Sequence, residues 1–88
     1  MINGLGQAGS RPDIRVVQGE LSDAQALFDS LTIGGIQATG STYKGVLINM
    51  PDGGWIGLRT QMTNSPNSVA TIDVNVPYVT VKKIKFNP

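Results

Sequence analysis

Hydrophobic and polar residues alternate most regularly in the second half of the chain. In Ala70-Thr71-Ile72-Asp73-Val74-Asn75-Val76 an extended backbone sends Ile72, Val74 and Val76 to one side. Thr71, Asp73 and Asn75 go to the other side. Trp55 to Thr60 repeats the pattern, with Ile56 and Leu58 opposed to Trp55, Gly57 and Arg59. Val81 to Phe86 alternates Ile84 and Phe86 with Lys83 and Lys85. Tyr43 to Met50 is a further strand candidate, and the Pro51-Asp52-Gly53-Gly54 turn joins it to Trp55 as a hairpin.

Earlier in the chain the period is helical. Ser22 is the expected N-cap, Gln25 completes a capping-box pattern, and Asp23 places a negative charge in the first turn. Leu21 is positioned to staple against Ala26. Ala24, Leu27, Phe28 and Leu31 follow helical spacing, and Gly34-Gly35 ends a helix predicted over 23–31. Ile14 to Val17 reads as an edge strand or an extended lead-in. Gly34 to Thr42 is a connection, and Gln61 to Ser68 a polar loop. Met1 to Ser10, with three glycines, has the composition of a linker. Residues 1–13 are therefore taken as a lead-in and 14–88 as one domain.

These elements predict an α+β fold, with an N-terminal helix packed on one face of a twisted antiparallel sheet of about four strands. Val46, Ile48, Ile56, Leu58, Ile72, Val74, Ile84 and Phe86 would face Leu27, Phe28 and Leu31. The opposite face would carry Trp55, Arg59, Thr71, Asp73, Asn75, Lys83 and Lys85, a polar face being ordinary for an antiparallel sheet.

Composition narrows the chemistry. The 88 residues include no cysteine and no histidine. This excludes disulfides, thiolate metal sites and the Ser-His-Asp and Cys-His arrangements. The six carboxylates are scattered, with no pair spaced to hold a magnesium ion, and no metal or other cofactor is expected. Neither Gly-Gly pair matches a phosphate-binding loop. No apolar run is long enough to cross a bilayer, so no membrane partner is expected. The net charge of +1 conceals an asymmetry. Residues 1–40 hold two arginines against four carboxylates. Residues 41–88 hold Lys44, Arg59, Lys82, Lys83 and Lys85 against Asp52 and Asp73. The strand-rich half is thus the basic half, although with so small a net charge the pattern on its own favours a solvated surface of mixed charge.

What survives is metal-free chemistry run by Arg, Lys, Thr, Asp and Tyr. RNA permits it, because its own 2′-hydroxyl can serve as the nucleophile while cations stabilise the charge that accumulates on phosphorus. Asp73 is a candidate base, Arg59 and a lysine are candidate phosphate ligands, and Thr60 and Thr71 candidate donors to non-bridging oxygens. Trp55 and Tyr43 are candidates for stacking on splayed bases. Each has a plainer reading. Asp73 and Arg59 suit surface ion pairs, Thr71 suits a strand, and Trp55 after a turn suits a core cap. Lysines 82, 83 and 85 suit an edge strand protected against aggregation, and Ser65 and Ser68 suit a loop.

Taken in order, Arg15-Val16-Val17, the Ser22-to-Leu31 helix, Tyr43-Lys44-Gly45, Met50-Pro51-Asp52-Gly53-Gly54, Leu58-Arg59-Thr60, Ser65 to Ser68, Thr71-Ile72-Asp73-Val74-Asn75 and Lys83-Ile84-Lys85-Phe86 form a string that resembles the C-terminal toxin domains of bacterial contact-dependent inhibition and polymorphic toxin systems. The resemblance covers roughly residues 14–87. It implies the barnase/EndoU/colicin/RelE-like ribonuclease group, cleavage often directed at tRNA, delivery into a neighbouring cell, and neutralisation by a cognate immunity protein. By motif position it implies Lys44, Arg59, Thr60, Ser68, Thr71 and Asp73 as catalytic candidates. Tyr43, Trp55, Ser65, Asn75, Lys83 and Lys85 are the candidates for RNA contact. Many members of that group use a histidine, which this chain lacks, leaving Asp73 or a lysine as the base. A non-catalytic, β-rich binding or structural module is the alternative that composition leaves open.

Overall fold

The computed structural model describes residues 6–9, 11–61, 67–77 and 79–88. Its one helix among them, α1 (Leu21–Leu31), begins where the Asp23 carboxylate accepts the backbone N–H of Glu20 at 2.8 Å. Glu20 is therefore the N-cap, and Asp23 at the third helical position supplies the reciprocal bond of a capping box. The expected Ser22–Gln25 box does not form. Gln25 instead donates to Asp29 one turn on, at 2.9 Å. Leu21 lies inside the first turn, 47% exposed, so it staples nothing to Ala26. At the other end the Thr32 hydroxyl and N–H both donate to the Phe28 carbonyl, at 2.8 and 3.1 Å. The chain then leaves through Gly34, whose φ of +85° is one that only glycine adopts freely.

Seven strands form one sheet: β1 (Gln7–Ala8), β2 (Ile14–Gln18), β3 (Ile36–Gln37), β4 (Val46–Asn49), β5 (Trp55–Arg59), β6 (Ala70–Asn75) and β7 (Lys83–Asn87). Their spatial order is β1-β2-β7-β6-β5-β4-β3. Neighbours are antiparallel except β2 and β7, which run parallel with Ile14 opposite Lys83 and Val17 opposite Phe86.

This overturns the expected helix on a four-stranded antiparallel sheet, and with it the barnase/EndoU/colicin/RelE-like arrangement. The domain is mostly sheet, with one short helix. The four strands read from alternation are the contiguous block β4 to β7, but three more flank them. The physical reasons differ. β1 and β3 are two residues each, too short to display a period. β2 pairs with the strand at the opposite end of the chain, so its partner is invisible to any local pattern. The linker-like N-terminal stretch also contributes to the fold, since Gln7 and Ala8 pair with Val16 and Arg15.

The core lies between α1 and the middle of the sheet. Ala24 and Phe28 descend from the helix onto Ile56, Leu58, Ala70, Ile72, Val74, Val81, Ile84 and Phe86. Register builds this layer: Ile72 stands opposite both Leu58 and Ile84, and Val74 stands opposite Ile56. Leu27, Leu31, Ile48 and Val17 pack around its margin. The helix lies chiefly over β5 and β6, in the middle of the sheet. Val46, expected to face the helix, is consequently 40% exposed beyond its reach. Every other inward position of that alternation is buried or partly buried.

Candidate functional site

The face of the sheet turned away from α1 is organised in rows by the strand register. Arg59 of β5 stands opposite Thr71 of β6, which stands opposite Lys85 of β7. In the next row Gly57 stands opposite Asp73, and Asp73 opposite Lys83. Trp55 and Asn75 form the third. Gly57 is the gap in this surface. A methyl group there would sit 2.4 Å from Cζ and 2.5 Å from Oη of Tyr43, so the tyrosine ring occupies the space that any other side chain would take. Tyr43 reaches it from the connection that precedes β4. Its ring meets Trp55 edge to face, with centroids 6.0 Å apart and planes at 62°.

From this notch the Tyr43 hydroxyl donates to Oδ2 of Asp73 at 2.6 Å. Arg59 donates to the same carboxylate twice, from Nε to Oδ2 at 2.6 Å and from Nη2 to Oδ1 at 3.2 Å. A two-pronged guanidinium–carboxylate contact fixes orientation as well as charge. Asp73 is 8% exposed although it lies on the face without a helix, because Tyr43 and Arg59 cover it. Burial above all, and then the hydrogen bond and negative charge of Asp73, push the Tyr43 phenol well above its ordinary pKa of 10.0. The bond to Asp73 likewise raises the Arg59 guanidinium, against a smaller opposing effect of burial. Tyr43 thus remains a neutral donor and Arg59 a cation throughout the physiological range.

Beside this triad lies an open depression of about 650 Å³ lined by Thr42, Tyr43, Lys44, Arg59, Gln61, Asp73 and Lys83. Three cations thus stand around one carboxylate, and among the described residues neither Lys44 nor Lys83 forms an ion pair. Such a surface attracts an anion, and Arg59 presents it a guanidinium already held in place. Among the described residues no cluster of three acidic side chains exists to hold a metal.

The structure therefore brings together Tyr43, Lys44, Arg59, Asp73 and Lys83 from the sequence candidates. Thr71 is buried in the adjoining row, 1% exposed, and Lys85 follows it in register. Thr60 is exposed just beyond β5, and Asn75 is exposed opposite Trp55. Ser68 lies elsewhere, donating to Oδ1 of Asn87 at 2.7 Å. Ser65 falls outside the described residues. Tyr43 and Trp55, expected to stack on bases, pack edge to face against each other, with Tyr43 over Gly57.

Thr42 and Gln61 also line the depression, and nothing in their local pattern announced them. Gly57 carried a readable signal, being a glycine in the middle of a strand where a large side chain alternates on either side. No family model, curated protein or solved structure matches the chain.

Proposed function

We propose that the open face of the sheet binds a phosphodiester of RNA in the depression and promotes its metal-independent cleavage. In the proposed reaction the 2′-hydroxyl gives up its proton to solvent water as the 2′-oxygen attacks phosphorus, and the 5′-oxygen leaves and is protonated, giving a 2′,3′-cyclic phosphate and a 5′-hydroxyl end. Arg59, Lys44 and Lys83 meet the charge that grows on the non-bridging oxygens, the step at which fixed cations contribute most. An ammonium of the same lysines supplies the proton for the leaving oxygen. Asp73 acts through Arg59: its oxygens already accept three hydrogen bonds, and a substrate hydroxyl would have to compete with Arg59 and Tyr43 for them. The observation that carries the reading is this guanidinium, anchored on one side by Asp73 and lining an open basic depression on the other. The ordered motifs support placing the activity in a toxin that acts on RNA such as tRNA inside a target cell and is neutralised by an immunity protein.

The test is incubation of the purified domain with total RNA in EDTA, followed by analysis of the new ends. Fragments ending in a cyclic phosphate are expected, with cleavage falling about a hundredfold in Arg59→Ala, the scale for one transition-state donor. RNA left intact at high protein concentration would remove the catalytic reading. A specific feature favours the alternative of a non-catalytic binding module: the one carboxylate of the depression already accepts three hydrogen bonds from side chains of the fold. RNA that is retained by the wild type but never cut would establish that alternative.

A further inference from the structure

Tyr43 belongs to no strand, yet it touches the site more intimately than any residue that precedes β4. Its ring fills the notch over Gly57, bounded on β5 by Trp55 and Arg59. Its hydroxyl reaches Asp73 at 2.6 Å, and Asp73 in turn holds Arg59. Its two chain neighbours, Thr42 and Lys44, both line the depression. One side chain therefore governs two cations by separate routes. It reaches Arg59 through the shared carboxylate, and it carries Lys44 on the backbone that its ring ties down. The next residue along, Gly45, sits so close to the Leu58 carbonyl that an added Cβ would lie 2.1 Å from that oxygen. The segment is thus pinned to β5 on both sides of Lys44.

From this arrangement we infer that Tyr43 is a positioning residue, a latch that brings Lys44 and Arg59 to a single phosphate seat. Its ring is committed to the sheet and is not a platform for a base. The inference rests on the phosphate-binding reading for its purpose, but the latch itself can be observed without RNA.

Two variants test it. Tyr43→Phe keeps the ring and removes the hydroxyl; Gly57→Ala keeps every hydrogen-bonding group and displaces the ring. In nitrogen-15 spectra the wild-type Arg59 Nε–H is expected to exchange slowly with water. Both variants should speed that exchange at least tenfold while thermal unfolding shows them folded.

The second arm measures binding of a 2′-O-methyl RNA oligonucleotide, which cannot be cut by its own 2′-oxygen. Lys44→Ala should weaken binding about fivefold in the wild-type background and less than twofold in Gly57→Ala, where the ring that holds the Lys44 backbone is displaced. Residues of one network show such coupling, whereas independent ones add. A tyrosine that merely stabilised the fold would leave the cost of Lys44→Ala equal in both backgrounds. That result, or an Arg59 Nε–H unchanged by Tyr43→Phe, would overturn the inference. If the exchange arm behaves as expected and the wild type binds no RNA, the latch stands and the nuclease proposal falls.

Discussion

The two faces of this sheet are made by the same strands and held by different forces. On the helix side, Ile56, Leu58, Ile72 and Val74 are each no more than 4% exposed, and Phe28 and Ala24 close over them. This burial has no preferred direction and scales with apolar area, so neighbouring apolar groups can substitute for one another. On the far side the same two strands present Arg59, Gly57, Thr71 and Asp73. Thr71 and Asp73 are nearly as buried as the core, at 1% and 8%, with no helix above them. Asp73 is covered by Tyr43 and Arg59, side chains that must point in set directions to reach it. Volume is the controlling quantity on one face, and the position of single polar atoms on the other.

The sharpest way to separate the faces is to damage each in turn. Phe28→Ala removes the largest helical contribution to the core and should cost about 3–5 kcal/mol in urea unfolding, the range for a buried aromatic truncated to alanine. At temperatures where the variant stays folded, its RNA binding should equal that of the wild type, because Phe28 lies on the wrong face to touch the depression.

Asp73→Ala should cost less stability, about 2 kcal/mol, because its partner Arg59 remains partly hydrated once released. Its effect on RNA should be the larger of the two, since the guanidinium loses its anchor. Equal loss of RNA binding in the core and open-face variants would break the comparison.

A smaller and reversible probe is pH. Tyr43 binds its proton more tightly folded than unfolded, so unfolding releases a proton once the medium rises above the ordinary tyrosine value of 10.0. Stability should therefore fall as pH rises through that region, and be fully present below it. Tyr43→Phe removes this dependence, so its unfolding midpoint should decline less steeply than that of the wild type between about pH 10 and 11.5, the range just above an unperturbed tyrosine. Parallel curves would show that the phenol holds its proton no more tightly in the folded protein than in the unfolded chain. The smallest effect is expected at Val46→Ser. Its position belongs to the helix side by alternation but escapes the cover of the helix, and it should change stability by no more than about 0.5 kcal/mol.

These contrasts also mark what was legible beforehand. The alternation around Ile72, Leu58 and Ile84 identified the central strands and their inward residues, because a half-buried strand must repeat every two positions. It also put Arg59 and Asp73 on one face, since both lie outward on strands of definite polarity. The same logic failed at Val46, where alternation names a face but not how far the helix extends across it. It failed at the helix start, because Glu20 and Asp23 form as good a box as Ser22 and Gln25, and the choice rests on how the chain enters from β2. The parallel pairing of β2 with β7 joins the two ends of the described chain and leaves no local trace.

Sequence by itself determined the inventory: a chemistry without thiols or imidazoles, a basic strand-rich half, and the division of each long strand into an apolar and a polar side. Those follow from residue identity and the two-residue repeat of an extended chain, which are local properties. Tertiary structure alone decided that Tyr43 lies over Gly57, that Asp73 is shared between a phenol and a guanidinium, and that Lys44 and Lys83 border the same depression. Each of these depends on where strands distant in sequence come to rest beside one another. Strand register and loop path set that geometry, and neither is encoded in the spacing of residues along one segment.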